Sequence, residues 1–336
     1  MKWTIYLQLI GLYFLVNPAS SAMADNKTRF AVIADMPYSV SQYNMLTAPD
    51  GEIAAAIRAM NPPVLIHLGD FKKSSTSCTD TLLQENYAQI SALNPFRTVY
   101  TPGDNEWTDC DRTGLLTRFD ELERLAFLRQ LFFHQPENQL SRDVPGLIRQ
   151  ENFIENALWR INDVVFATLH IPGTNNGREE ILLSAVNKAL NEADNRDRAN
   201  MLWLQKLFQM AETAQAVVIA FHADIYYIKR NKSVCSPDNR TECDGYRLIR
   251  EQIEKEALQY KKPVLIIHGD TVAYCLHQPQ KDIPNLWRLN APGDYKHIDA
   301  NQVIFDPELT DQPFQVTGLL DNKAPPSTCN YSFLGF

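Results

Sequence analysis

Four strand-like segments of this sequence end in an aspartate, and a fifth ends in a histidine. Each segment is a short run of β-branched and apolar residues, which is typical of a strand buried on both faces. The polar residues at their ends are Asp35, Asp70, Asp104, His222 and Asp270. Carboxylates joined by an imidazole suit a divalent cation such as Mn, Fe, Zn or Mg. The pattern therefore predicts a metal site at the edge of an α/β sheet.

Two of these segments, at 63–70 and 263–270, have nearly the same sequence, and both end in Gly-Asp. A glycine at the carboxyl end of a strand lets the backbone turn sharply, so that the next side chain faces a crevice. The alternative is that strand ends favour Gly and Asp simply as turn residues. Four such endings in one chain favour the metal site.

The elements between these strands predict an α/β fold. A helix predicted over 51–60 separates the first two strands, and another over 80–92 separates the second from the third. This β-α-β order favours parallel strands joined by right-handed crossovers. A hairpin predicted at 153–161 and 164–170 begins a second sheet, which short strands between 286 and 316 would complete.

The first 24 residues have the pattern of a secretory signal. Lys2 precedes an apolar run over 5–16, and small residues end the segment at 22–24. The apolar run is shorter than the roughly 20 residues that span a bilayer, so cleavage is favoured over an uncleaved membrane anchor. We expect one mature domain over 25–336, secreted to the periplasm or the extracellular space and not held at a membrane after cleavage.

The charge of the chain argues against a nucleic-acid partner. The formal net charge is −8, and loss of the leader with its single Lys2 makes it −9. A protein that binds nucleic acid in general would present a basic surface. A small phosphorylated ligand is compatible with this charge, because local charge in a cleft can oppose the overall sign.

Six cysteines follow the predicted cleavage site, which favours disulfide bonds in an oxidising compartment. Sequence alone does not choose among the possible pairings. The simplest set has one local pair, one pair that joins the loops after two Asp-ending strands, and one remaining pair. These pairs are Cys235–Cys243, Cys78–Cys110 and Cys275–Cys329. A zinc cluster is disfavoured, because no two cysteines have C-x-x-C spacing.

The order of the motifs resembles that of the calcineurin-like metallophosphoesterases. That family reads D-x-H, G-D-x-x-D, G-N-H-D/E, a lone histidine and G-H-x-H, and the resemblance covers about residues 29 to 275. It implies a four-layer α/β/β/α sandwich of two mixed β-sheets flanked by helices. It also implies metal-assisted hydrolysis of a phosphate ester.

The match to this family is incomplete, and most departures fall on metal ligands. Pro37 stands in place of the first histidine, and Val272 stands in place of the last. Asp270 replaces the other histidine of the last motif, Asp104 replaces the asparagine, and Lys73 replaces the final residue of the second motif. Neither proline nor valine can coordinate a metal.

By this resemblance, the two metal positions of the family are unequally preserved, since one keeps four ligands and the other keeps two. The four are Asp70, Asp104, His222 and Asp270, and the two are Asp35 and Asp70. We therefore expect at most one tightly bound divalent ion per chain. Lys72 or Lys73 would supply part of the missing positive charge, the alternative being an ordinary solvated loop.

Asn105 occupies the place of the family's catalytic histidine. An asparagine donates hydrogen bonds but cannot act as a general acid near neutral pH, so Glu106 and His268 are the candidates for that role. The leading prediction is a secreted metallophosphoesterase-like hydrolase of a small phosphorylated substrate. One alternative is a catalytically degenerate fold that binds a phosphorylated or acidic ligand. Another is a disulfide-stapled structural protein.

Overall fold

The predicted β-α-β order is found in one of two mixed β-sheets. The structure, a computed structural model, describes Met1 and residues 26–134, 140–227 and 232–331. The predicted cleavage site after Ala24 lies outside the described residues. The strands of the described ranges are β1 Thr28–Ile33, β2 Leu65–His67, β3 Thr98–Tyr100, β4 Ile148–Gln150, β5 Phe153–Ile161, β6 Val164–Thr168, β7 Ala216–Ala220, β8 Ser233–Val234, β9 Cys243–Asp244, β10 Val264–His268, β11 Cys275–His277, β12 Leu286–Asn290, β13 Asn301–Phe305 and β14 Phe314–Gly318.

Helices connect most of the parallel strands, and two of them match the predicted helices closely. The helical segments of the described ranges, besides a 3₁₀ helix at Thr108–Asp111, are α1 Val40–Leu46, α2 Glu52–Met60, α3 Asp80–Leu93, α4 Glu121–Phe133, α5 Gly173–Gly177, α6 Val186–Met210 and α7 Arg247–Tyr260. α2 and α3 lie where helices were predicted over 51–60 and 80–92. The side chain of Thr79 begins α3 by accepting a hydrogen bond from the backbone N–H of Leu82.

The five-stranded sheet has the strand order β14-β13-β1-β2-β3. β1, β2 and β3 are parallel, as predicted, whereas β13 is antiparallel to both β1 and β14. The prediction that short strands between 286 and 316 would complete the second sheet is therefore wrong for β13 and β14. Val303 and Phe305 of β13 are buried in the same cluster as Phe30 of β1, so their burial stabilises the pairing of β13 with this sheet.

The seven-stranded sheet has the strand order β11-β12-β10-β7-β6-β5-β4. The predicted hairpin forms its antiparallel pair β5–β6, which turns at Asn162 and Asp163. β6, β7, β10 and β12 are parallel neighbours. Of the strands predicted between 286 and 316, β12 therefore joins the second sheet.

The two sheets pack face to face, and helices cover their outer faces. Between the sheets, Phe30 contacts Phe166 edge-on, and Trp159 stacks on Phe166, each with ring centroids 5.1 Å apart. α6 and α7 bury Leu207 and Ile253 against the seven-stranded sheet. α1 to α4 cover the five-stranded sheet. The predicted four-layer α/β/β/α sandwich is confirmed.

All six cysteines are paired in three disulfide bonds, and these are the pairs that the sequence favoured. They are Cys78–Cys110, Cys235–Cys243 and Cys275–Cys329. Disulfides persist in oxidising compartments, so the three bonds indicate an environment of the extracellular type. No helix in the described part of the chain is long and apolar enough to cross a membrane.

His67 of β2 is fully buried, and its ring is held neutral. Its Nδ1 accepts a hydrogen bond from the backbone N–H of Gly69 at 3.2 Å, while its Nε2 has no hydrogen-bond partner among the described residues. Burial, together with the positive charge of His222, lowers the pKa of His67 to about 3. The unfolded chain, with an ordinary pKa near 6.5, therefore binds a proton more readily than the folded protein.

The neutral ring of His67 is expected to make the fold acid-sensitive. Stability from this group is complete above about pH 6.5 and is lost as the pH falls toward 3. Between pH 7 and pH 4.5, wild-type protein should lose about 2 to 3 kcal/mol of unfolding free energy relative to His67→Asn, which keeps an acceptor for Gly69. Urea unfolding of both proteins at the two pH values measures this change. A difference that stays constant with pH would contradict the buried neutral ring.

Candidate metal centre

The five side chains predicted as metal ligands meet where strands of both sheets end. Asp35, Asp70 and Asp104 follow the parallel strands β1, β2 and β3, while His222 and Asp270 follow the parallel strands β7 and β10. Ligand atoms of Asp35, Asp70 and His222 lie within 4.8 Å of one another, as do those of Asp104, His222 and Asp270. Either group could hold a metal ion. The residue that both groups share is His222, whereas the sequence indicated Asp70.

The backbone that carries these ligands turns sharply, as the sequence predicts. Asp35, Asp70 and Asp270 have left-handed φ angles of 53°, 54° and 67°. This region is uncommon for residues other than glycine, and strain of this kind clusters at functional sites. Gly103 allows the loops after β2 and β3 to touch, because a Cβ atom there would overlap the carboxylate of Asp70.

His222 lies at the centre of the site and is fully buried. Its Nδ1 is 2.8 Å from the carbonyl oxygen of Leu68, which leaves Nε2 facing the carboxylates. Nε2 lies 2.9 Å from Oδ1 of Asp104, 3.3 Å from Oδ1 of Asp70 and 3.9 Å from Oδ1 of Asp270. Burial by itself lowers the pKa of His222, but Asp70 and Asp104 raise it well above its usual value.

The carboxylates of the site repel one another in a buried space. Burial raises the pKa of Asp35 to about 8, with smaller contributions from the charges of Asp294 and Asp270. Burial and the charge of Asp104 raise the pKa of Asp270 to about 7, and burial raises the pKa of Asp70 well above its usual range. At Asp104 burial also raises the pKa, but His222 outweighs it and lowers the value to about 2. A divalent cation would relieve this repulsion and displace the bound protons.

Two central atoms are buried without a hydrogen-bond partner among the described residues. They are Nε2 of His222 and Oδ1 of Asp104, which form an ion pair with each other at 2.9 Å but lack the geometry of a hydrogen bond. Buried polar atoms normally have partners, so this pair fits a cation bound by both. An imidazole nitrogen with carboxylate oxygens suits Zn, Mn or Fe. The residues of this site therefore fit a divalent metal ion.

Asn105, one of the three predicted catalytic residues, lies against Asp70. Its side-chain amide donates to Oδ2 of Asp70 at 2.5 Å and to the Tyr38 hydroxyl at 2.9 Å, and its backbone N–H donates to Oδ1 of Asp70 at 3.0 Å. The Tyr38 hydroxyl donates to Oδ2 of Asp70 at 2.9 Å. Both amide hydrogens of Asn105 are therefore used within the protein, where they orient a candidate metal ligand.

Glu106, the second predicted catalytic residue, joins the loops that follow β2 and β3. Its fully buried carboxylate accepts hydrogen bonds from the backbone N–H groups of Asp70 at 3.0 Å and Gly103 at 2.8 Å. It also accepts a hydrogen bond from the Tyr100 hydroxyl at 2.8 Å. Glu106 belongs to neither group of candidate ligands. These contacts position Asp70, and the catalytic role of Glu106 stays a prediction.

His268, the third predicted catalytic residue, has both ring nitrogens engaged. Its Nδ1 lies 2.8 Å from the carbonyl oxygen of Gly269, and its Nε2 accepts a hydrogen bond from Nε of Arg288 at 2.8 Å. Arg288 pairs in turn with Asp224 at 2.5 Å. Burial lowers the pKa of His268 to about 4, so the ring is neutral. His268 thus belongs to a separate polar cluster, and its catalytic role stays a prediction.

Lys72 is buried close to the carboxylates, so a solvated loop is the wrong interpretation for this residue. Its Nζ donates to the carbonyl oxygen of Lys73 at 2.9 Å, and Lys73 itself is half-buried. Burial lowers the pKa of Lys72 to about 8, against the opposing effect of Glu106 and Asp109. Lys72 therefore remains a cation at neutral pH.

The sequence analysis missed the turn α5, which lies over Asp104. The Thr174 hydroxyl is 3.1 Å from Oδ2 of Asp104. A cavity of about 210 Å³ lies beside this turn and is bordered by Asp224, Lys232 and Asp270. The Asn-Asn-Gly run that ends the turn was the available signal, because these residues tolerate a left-handed backbone.

A third group of close ligand atoms consists of Cys275, His277 and Cys329. Its two cysteines form a disulfide, so they offer no thiolate to a metal. Among these groups of the described residues, the Asp/His centre is therefore the candidate metal site. Comparison of this chain with protein-family models and with curated proteins finds no match.

Proposed function

We propose that this protein is a metal-dependent hydrolase of phosphate esters on a calcineurin-like metallophosphoesterase scaffold. The observation that carries the proposal is the buried pair formed by Nε2 of His222 and Oδ1 of Asp104, surrounded by three more carboxylates. These groups lie beyond the carboxyl ends of parallel strands, where α/β sheets bind their ligands. The order of the motifs supports the same assignment.

His222, Asp104, Asp70 and Asp270 would hold the metal, with Asp35 beside them. A bound divalent cation supplies positive charge for the phosphoryl oxygens and favours the attack of water on phosphorus. The hydrogen bond between Nδ1 of His222 and the backbone fixes the ring orientation, so that Nε2 would be free to bind the ion.

Other residues of the chain shape the site around the reacting phosphate. Asn105 and Tyr38 fix both oxygens of Asp70, and Lys72 adds a positive charge nearby. The cavity bordered by Asp270 would receive the leaving group of the substrate. A substrate with a good leaving group suits this site best, because general acid help is typically worth about 10²- to 10⁴-fold and Asn105 cannot supply it.

We propose one tightly bound ion per chain. Nδ1 of His222 is bonded to the Leu68 carbonyl, so only Nε2 can coordinate, and one nitrogen serves one ion. Pro37 and Val272 add no ligand to a second position. Elemental analysis that finds two tightly bound ions per chain would contradict this proposal.

A second candidate is a binding protein for a phosphorylated or acidic ligand. Asn105 favours it, because both of its amide hydrogens are used on Asp70 and Tyr38 and none is left for a developing charge. Binding of Mn²⁺ and inorganic phosphate without turnover of any ester would support this function over hydrolysis.

Asp104→Ala is expected to lower phosphoesterase activity by at least about 100-fold, because it removes an oxygen at the centre of the metal site. Turnover of 4-nitrophenyl phosphate and bis(4-nitrophenyl) phosphate, with added Mn²⁺, Zn²⁺ or Mg²⁺, measures the loss. Asp311→Ala is the matched control, since Asp311 is exposed between β13 and β14. Equal turnover by wild type and Asp104→Ala would exclude this centre as the source of activity.

We propose that the protein acts in the periplasm or outside the cell. The three disulfides support an oxidising compartment. The charged, apolar and small-residue pattern of residues 1–24 supports export. The mature amino terminus, read by sequencing of the protein recovered from its native compartment, would start at Asp25.

A further inference from the structure

The turn α5 has a left-handed backbone over four consecutive residues. Thr174, Asn175 and Asn176 have φ angles of 52°, 53° and 59°, and Gly177 continues with 68°. A left-handed helical backbone is unfavourable for most residues other than glycine, and asparagine tolerates it better than threonine. Consecutive residues of this kind persist only where the surrounding structure holds them.

Contacts with two distant segments hold the turn in this conformation. Asn175 accepts a hydrogen bond from the backbone N–H of Gly245 at 2.9 Å and donates to the carbonyl oxygen of Cys243 at 3.0 Å. Asn176 donates to Oδ1 of Asp197 on α6 at 2.7 Å. The segment beside the Cys235–Cys243 disulfide and α6 together fix the position of the turn.

The turn places the Thr174 hydroxyl between two carboxylates. Its Oγ1 lies 3.1 Å from Oδ2 of Asp104 and 3.0 Å from Oδ1 of Asp109. Gly173 allows this close approach, since a Cβ atom there would overlap the Asp104 carboxylate. The hydroxyl contacts one oxygen of Asp104, and the other oxygen faces His222.

We infer that Thr174 is a positioning residue, whose hydroxyl orients the Asp104 carboxylate so that Oδ1 points at the metal position. This inference rests on the proposed metal centre. Side chains that hydrogen-bond a metal ligand, without contacting the metal themselves, typically contribute about 10- to 100-fold to metal affinity. Thr174 makes these contacts in the left-handed conformation of the turn.

Two substitutions separate the hydroxyl from the shape of the side chain. Thr174→Val keeps the branched shape and removes the hydroxyl, whereas Thr174→Ser keeps the hydroxyl and removes the methyl group. Calorimetric titration of Mn²⁺ into the full chain, after removal of metal by a chelator, measures affinity in each protein. We expect Thr174→Val to bind Mn²⁺ about 10- to 100-fold more weakly than wild type, and Thr174→Ser to bind within about threefold of wild type.

The outcomes of this experiment are distinguishable. Thr174→Val that binds as tightly as wild type overturns the inference, as does Thr174→Ser that binds as weakly as Thr174→Val. Wild-type protein that binds neither Mn²⁺ nor Zn²⁺ overturns the proposed metal centre itself. If the valine variant fails to fold, the comparison of Thr174→Ala with Thr174→Ser tests the hydroxyl instead. Equal Mn²⁺ affinities of Thr174→Ala and Thr174→Ser would also overturn the inference.

Discussion

His222→Ala is expected to reduce the affinity of the protein for Mn²⁺ or Zn²⁺ by more than about 100-fold. Groups that only support a metal ligand contribute up to about 100-fold, so the loss of the shared ligand should exceed that range. Nε2 of His222 is the one atom common to both candidate groups of the described residues. Metal per chain after dialysis, together with calorimetric titration, measures the effect.

The control for this variant is His134→Ala. His134 is exposed at the end of α4 and contacts only the Arg129 carbonyl oxygen among the hydrogen bonds of the described residues. The His134→Ala variant should bind as much metal per chain as wild type. Retention of one ion per chain in His222→Ala would place the metal elsewhere and would remove the main support for the hydrolase.

Glu106→Ala is expected to lower the free energy of unfolding by at least about 3 kcal/mol. The substitution leaves three buried donors without a partner, namely the N–H groups of Asp70 and Gly103 and the Tyr100 hydroxyl, and each such group costs about 1 to 3 kcal/mol. Glu106→Gln should cost less, because its carbonyl oxygen can still accept from Gly103 and Tyr100. Chemical unfolding of wild type, Glu106→Gln and Glu106→Ala measures the free energy of unfolding of each protein.

Glu85→Ala is a suitable control for Glu106, since Glu85 is exposed on α3 and such surface changes stay within about 0.5 kcal/mol. This experiment also separates the two roles of Glu106. A Glu106→Gln protein with wild-type stability and no turnover would assign Glu106 to the chemistry, as the sequence analysis suggested. A large loss of stability with metal binding weakened in parallel would assign it to positioning.

The sequence predicted most of the fold because local patterns decide it. The apolar runs that end in aspartate identified β1, β2, β3 and β10, and the helical periods identified α2 and α3. The turn at Asn162 and Asp163 identified the hairpin. The strands β13 and β14 were harder to place, because β13 pairs with β1, more than 250 residues earlier, and β14 follows β13 into the same sheet. Nothing local in Asn301–Phe305 indicates that β1 is the partner.

The sequence by itself determined which residues form the candidate metal centre, since Asp35, Asp70, Asp104, His222 and Asp270 all stand at strand ends that parallel strands bring together. Only the tertiary structure decided their roles. His222 is common to both candidate groups because the second sheet places its Nε2 among carboxylates of the first. Glu106 and His268 are bonded to partners that fold around them, and such contacts depend on the packing of loops rather than on residue type or spacing.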